Sequence, residues 1–295
     1  MEPRNPKEFD QGVYDLFDKY VHGDIDRRAF VDRAGKFGIA GMTGAMILDA
    51  LTPRFAEAQV VAKDDKRIVA TVVEYPSPDG NPKMSGYLVR PADKKGKLPG
   101  VLVVHENRGL NPHIEDIARR VALEGYMAFA PDALFPLGGY PGDEDKAREL
   151  FAKLDRPKID QDFLAAAAWL KNRADCTGKV AVVGFCFGGA IANMLATKVP
   201  DLAGAVPFYG GAPPVEEVKN IKCPVLVHHG EKDERLVAAW PAYEAALKAN
   251  NVNYEGFVYP GAQHGFNNDT TPRFDKVNAD LAWKRTIEFF HKNLK

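Results

Sequence analysis

Cysteine is scarce in this chain. Its three residues, Cys176, Cys186 and Cys223, are too few and too scattered among 295 for a disulfide framework or a zinc cage. Long hydrophobic runs are missing as well. Within the N-terminal residues 1–65 the longest stretch without a charge, Phe37 to Leu48, covers 12 residues where a bilayer span needs about 20, so no membrane span is expected there. Neither sign of charge dominates: 39 Lys and Arg against 40 Asp and Glu leave a net charge of −1 and no electrostatic footprint for nucleic acid. No internal repeat or low-complexity segment is visible. A composition of 45% hydrophobic and 27% charged residues excludes collagen-like, disordered and coiled-coil classes.

Two readings of the N-terminal residues 1–65 stay open. Asp26-Arg27-Arg28-Ala29-Phe30-Val31, a weakly hydrophobic Gly/Ala stretch and Ala56-Glu57-Ala58 resemble a twin-arginine export signal with its cut site. Against this, residues 1–28 carry 5 basic and 7 acidic side chains, and Asp49 interrupts the hydrophobic region. The other reading is a helical extension that docks on the main domain or on a second copy, compatible with a monomer or a homodimer. The first reading implies a periplasmic protein, the second a cytoplasmic one.

From about residue 66 strand and helix patterns alternate. Ile68–Tyr75 and Gly86–Arg90 read as early strands. Short apolar runs follow at Gly100–Val104, Tyr126–Ala130, Val180–Gly184, Ala203–Tyr209 and Pro224–Val227, which suit strands buried on both faces. Helical patterns fall at 112–124, 143–154, 158–173, 187–197, 237–249 and 272–292. This alternation predicts an α/β domain over 66–295, a doubly wound, mostly parallel sheet flanked by helices.

The most informative stretch is Val180-Ala181-Val182-Val183-Gly184-Phe185-Cys186-Phe187-Gly188-Gly189-Ala190. A buried strand runs into Gly-x-Cys-x-Gly-Gly and then into a helix of small residues, the pattern of a nucleophile elbow with cysteine in place of serine. The sharp turn needs small residues on both sides, and it puts the thiol at a helix N-terminus that favours thiolate and oxyanion. The plain alternative is a buried structural cysteine. Partners follow in the order that the elbow demands. Asp233 lies in a loop after a strand, 47 residues on, and His264 in a loop after the next, 31 residues further. Asp233 would orient the imidazole, and His264 would exchange protons with Cys186 and the leaving group. Alternatively, Asp233 is a turn or helix-cap residue and His264 a loop histidine.

Over residues 66–292 the sequence resembles the dienelactone hydrolase family of α/β-hydrolases, through Gly184-Phe185-Cys186-Phe187-Gly188-Gly189, Gly230-Glu231-Lys232-Asp233, His264-Gly265-Phe266 and Val104-His105-Glu106-Asn107-Arg108-Gly109-Leu110. The resemblance implies an α/β-hydrolase fold and a triad of Cys186, Asp233 and His264. It also implies that Glu106 sits beside the thiol and controls its protonation. The bland place for Glu106 is a pair with Arg108 or a cap on helix 112–124. The oxyanion hole is expected from the backbone N–H groups of Phe187 and Asn107. Family members that take dienelactones hold the substrate carboxylate with two arginines. This chain has Asn268 at one of those positions and no arginine in the loop 131–140. Arg108, Arg235 and Arg273 are the available substitutes, and Phe135, Leu137, Tyr140 and Tyr209 the candidates for an apolar pocket.

The expected activity is hydrolysis of a small-molecule ester or lactone through a thioester acyl-enzyme. The rival is a non-catalytic small-molecule-binding protein on the same scaffold, although nothing in a scaffold requires all three of Cys186, Asp233 and His264. No cofactor or metal is expected: His228 and His229 are adjacent on a strand and point to opposite faces, and no Cys/His pair has metal-ligand spacing. A redox role is disfavoured because Cys186 has no CxxC partner.

Overall fold

The computed structural model describes residues 9–39 and 41–295, so residues 1–8 of the N-terminal extension and Ala40 of its charge-free run lie outside it. Four helices come first: α1 Gln11–His22, α2 Arg27–Ala34, α3 Gly44–Leu51 and α4 Phe55–Ala58. Side chains of Asp10, Asp26 and Thr43 accept from free amides at the starts of α1, α2 and α3. On α1 the apolar residues Val13, Leu16, Phe17 and Tyr20 recur at helical spacing and are buried. They pack on Phe30 of α2 and on Ile47, Leu48 and Leu51 of α3, which gives the extension a small core of its own. The twin arginines open α2, where Arg27 pairs with Asp145 at 2.7 Å.

The eight strands are β1 Ile68–Pro76, β2 Lys83–Pro91, β3 Leu98–Val104, β4 Met127–Pro131, β5 Cys176–Phe185, β6 Gly204–Phe208, β7 Val225–Gly230 and β8 Tyr254–Tyr259. They form one sheet in the order β1-β2-β4-β3-β5-β6-β7-β8. The pairs β1–β2 and β2–β4 are antiparallel and the rest are parallel. Helices α5 Pro112–Leu123, α6 Glu144–Phe151, α7 Arg156–Lys171, α8 Phe187–Lys198, α9 Glu234–Ala249 and α10 Lys276–Leu294 complete the chain. One apolar layer joins the sheet to α5 and α10, the other joins it to α7, α8 and α9. Parallel strands covered on both sides explain the unbroken apolar runs of β3 to β7.

Two helix starts differ from the sequence pattern by three residues or more, each because of a cap. α9 begins at Glu234 rather than 237 because Asp233 accepts from the Leu236 amide at 3.3 Å. α10 begins at Lys276 rather than 272 because Pro272 lies in the preceding turn and Asp275 accepts from Asn278 N at 3.1 Å. Among the described residues no helix is long and apolar enough to cross a membrane.

The end of β7 makes the fold sensitive to acid. His228 and His229 are both buried. His228 lies against Phe208, with Tyr259 Oη at 2.9 Å and Thr286 Oγ1 at 3.2 Å from its two ring nitrogens. His229 faces Trp240 and its Nδ1 has no partner. Burial pulls the His229 pKa down to about 4. The unfolded chain therefore takes up a proton below about pH 6.5 that the folded chain refuses until about pH 4. Stability present above pH 6.5 is lost as the pH falls through that window, by on the order of 3 kcal/mol from this one group. Urea unfolding at pH 7.5 and pH 4.5 should show a loss of at least that size, and His229→Gln should recover the share of His229, while His228, which burial also holds well below the usual imidazole range, keeps its own. An equal loss in the variant would assign the acid sensitivity elsewhere.

Candidate active site

The site lies beyond the carboxyl ends of the parallel strands, where ligand crevices of open α/β sheets form. At the end of β5 the chain turns abruptly into α8. Cys186, the turn residue, has φ 55° and ψ −110°, a conformation an L-residue adopts only under constraint. Its amide donates to Phe208 O at 3.0 Å, and its carbonyl accepts from Gly189 and Ala190. The flanking glycines are required by contact: a Cβ on Gly184 would lie 1.9 Å from Gly188 O, and one on Gly188 would lie 2.3 Å from Val104 O. Close packing of Gly188 on the end of β3 brings the first turn of α8 beside His105, whose ring stacks on Phe187 at 5.8 Å.

The loops after β7 and β8 supply Asp233 and His264. Asp233 Oδ2 sits 2.5 Å from His264 Nδ1, while Oδ1 caps α9, so this carboxylate serves as both orienter and helix cap. His264 Nε2 is buried and has no hydrogen-bond partner. Sγ of Cys186 and one ring nitrogen each of His264 and His22 lie within 4.8 Å of one another. Burial opposes charge on both Cys186 and His264. Their mutual attraction, with His22 acting on the thiol and Asp18 and Asp233 on the imidazole, overcomes it, holding the thiol pKa near 6 and pushing that of His264 well above the usual imidazole range. Asp233 is lowered by its bond to His264, against burial.

Sequence reasoning missed His22. It closes α1, and its Nε2 lies 3.6 Å from Cys186 Sγ. Its ring meets that of His264 at 5.0 Å. Asp18, one turn earlier, holds the other nitrogen: His22 Nδ1 is 2.9 Å from the Asp18 carbonyl and 3.3 Å from Oδ2. Despite burial, Asp18 and the thiol raise the His22 pKa to about 10. The signal available in the sequence was an acid and a histidine four apart on the polar face of an amphipathic helix.

Glu106 and Asn107 follow β3 as expected. Glu106 neither pairs with Arg108 nor caps α5, a place taken by Asn111. Its carboxylate accepts from Asn268 Nδ2 at 2.9 Å and lies 3.5 Å from Tyr209 Oη. Asn268, where an arginine was looked for, is thus the partner of Glu106. Tyr209 is buried, with φ 36°, and its ring lies 5.1 Å from that of His264. Arg108 is buried too, and donates to Val21 O at 3.3 Å and Asn107 Oδ1 at 2.8 Å. Asn107 Nδ2 also donates to Val21 O, at 2.9 Å, so the β3 loop grips the end of α1. Arg273 lies over Phe17 at 5.0 Å and 3.6 Å from Asp18.

A cavity of about 140 Å³ between extension and body is lined by Phe17, Tyr20, Val21, Glu106, Arg108 and Asn268 among others. A more open cleft of about 420 Å³ is lined by Asp18, His22, Asp233 and His264. Phe135 is half-buried in the turn after β4 and lines neither space.

A strained cysteine between the parallel strand β5 and α8, with an aspartate after β7 and a histidine after β8, is the arrangement that an α/β-hydrolase fold brings together. The chain belongs to the dienelactone hydrolase family, whose model matches residues 84–294. A second model, described as YqhI-like, matches residues 1–37. A "Putative carboxymethylenebutenolidase" of Escherichia coli (strain K12) is 34% identical over 246 residues, covering 78% of this chain and 90% of the relative. A "Putative hydrolase fragment YghX" of the same strain is 55% identical over 114 residues, 39% of this chain and 97% of the relative. Among solved structures, a "Putative Dienelactone Hydrolase" from Klebsiella pneumoniae subsp. pneumoniae is 31% identical, with a TM-score of 0.67, and covers 76% of this chain and 99% of its own. This chain is a carboxylic ester hydrolase of the dienelactone hydrolase type.

Proposed function

We propose that the enzyme cleaves small-molecule esters or lactones through a thioester formed on Cys186. One observation carries the reading: a thiol held at a strained elbow, within reach of an imidazole whose far nitrogen is fixed by a buried carboxylate. The Cys186 thiolate attacks the carbonyl carbon, and the tetrahedral oxyanion faces the backbone N–H groups of Phe187 and Asn107. Protonated His264 gives its Nε2 proton to the departing alkoxide as the C–O bond breaks. Water then attacks the thioester while His264 takes its proton back, and the C–S bond breaks to release the acid. Asp233 stabilises the imidazolium throughout. Glu106, fixed by Asn268 and Tyr209, is the further carboxylate that tunes the thiol from the β3 loop.

Acid quenching during turnover of an activated ester, followed by peptide mass spectrometry, tests this. The expected result is one acyl group on Cys186 that hydroxylamine removes. Rapid turnover with no acyl group on that peptide, even in His264→Ala where deacylation is slowed, would reject the covalent route.

A further inference from the structure

Residues from three distant parts of the chain converge on one point. Cys186 Sγ comes from the elbow, and one ring nitrogen each from His264 and His22, all mutually within 4.8 Å. We propose that Cys186, His264 and His22 form a binding site for a thiophilic divalent cation, zinc above all, with a fourth position open.

The donor set fits such an ion. One thiolate and two imidazoles suit zinc, and three protein ligands with one open position are what a tetrahedral ion needs to bind water or an exogenous ligand as well. The 3.6 Å between Sγ and His22 Nε2 is close to the edge of a tetrahedron with metal–sulfur and metal–nitrogen bonds of about 2.3 and 2.0 Å.

Support around the histidines strengthens the assignment. Metal-bound histidines almost always give their second nitrogen to a carboxylate or a carbonyl, which fixes the ring and raises its basicity. Both histidines here are built that way. His264 Nδ1 faces Asp233 Oδ2 at 2.5 Å, and His22 Nδ1 faces the Asp18 carbonyl and carboxylate at 2.9 and 3.3 Å. Each ring therefore turns its remaining nitrogen toward the sulfur. His264 Nε2 is a buried polar atom without a partner, a cost that a bound ion removes. The 420 Å³ cleft lined by both histidines and both aspartates gives an ion its way in. On binding, the thiol and any imidazolium protons pass to solvent.

Ligand spacing along the chain could not reveal this site, because His22 stands 164 residues before Cys186 and belongs to another helical layer. The ion would tie α1 to the sheet and occupy the thiol, so bound zinc is a reversible stop on ester turnover.

Cobalt(II) titration of the reduced full-length protein tests the site directly. Wild type should bind one ion, with a thiolate-to-cobalt charge-transfer band and the strong visible bands of a four-coordinate ion, all displaced by zinc. His22→Gln, checked for folding by circular dichroism, should weaken cobalt binding by at least ~10-fold, and Asp18→Asn should weaken it in the same direction. Absence of a thiolate band in wild type would overturn the site. A band with unchanged affinity in both variants would overturn the part assigned to α1. The readout is coordination itself, so its failure is distinct from a failure of the thioester mechanism.

Discussion

Cys186→Ala is expected to lower turnover of activated esters by about 10⁵-fold, equivalent to roughly 7 kcal/mol of transition-state stabilisation. Removing the sulfur leaves a small side chain that fits the same turn, so the melting temperature should stay near that of wild type. Because Cys186 and His264 act as a unit in the proposed mechanism, the double variant Cys186→Ala/His264→Ala should be about as slow as the single one. A residual rate above one hundredth of wild type, in protein that melts normally, would assign the hydrolysis to water activated by a histidine or by Glu106.

Gly184→Ala should be the most damaging single methyl group in the sheet domain. Its Cβ would sit 1.9 Å from Gly188 O, and backbone on both sides leaves no flexible side chain to give way. Either the β5–α8 turn opens, which misplaces Cys186, or β5 shifts in its ladder. Overpacking of this kind costs about 3 kcal/mol or more, which for a domain of this size lowers the melting temperature by roughly 6–12 °C. Gly211→Ala is the control, since nothing lies within 4 Å of its added carbon. Differential scanning calorimetry of the two variants should separate them clearly. Equal melting temperatures would show that the elbow is not as tightly closed as its contacts require.

Legibility in the sequence followed how local each determinant is. The strands of the sheet announced themselves, because burial on both faces demands continuous apolar runs such as Val101–Val104 and Val180–Val183. Cys186, Asp233 and His264 were legible because each follows a strand in a fixed order, and the structure brings them together. Asp233 also shows that the geometry of a candidate site residue and its plain structural alternative need not compete: one oxygen caps α9 and the other meets the imidazole. His22 was not legible as a site residue, since Cys186 and His264 are distant in sequence and the Asp18–His22 spacing on α1 describes a solvated pair at a helix end equally well. The partner of Glu106 escaped for a related reason. Asn268 lies in a loop whose path depends on Thr270 and on the late start of α10, neither of which periodicity reports.

The grip of the β3 loop on α1 has a consequence for how the protein can be processed. Asn107 and Arg108 both donate to the carbonyl of Val21, and the very next residue is His22. A protease acting after Ala58 would therefore do more than shorten the chain. It would strip an imidazole from the thiol, remove the carbonyl that two side-chain donors of the β3 loop share, and unroof the 140 Å³ cavity. Full-length and trimmed forms of this chain would be two different catalysts made from one gene, with trimming as an irreversible change of reactivity.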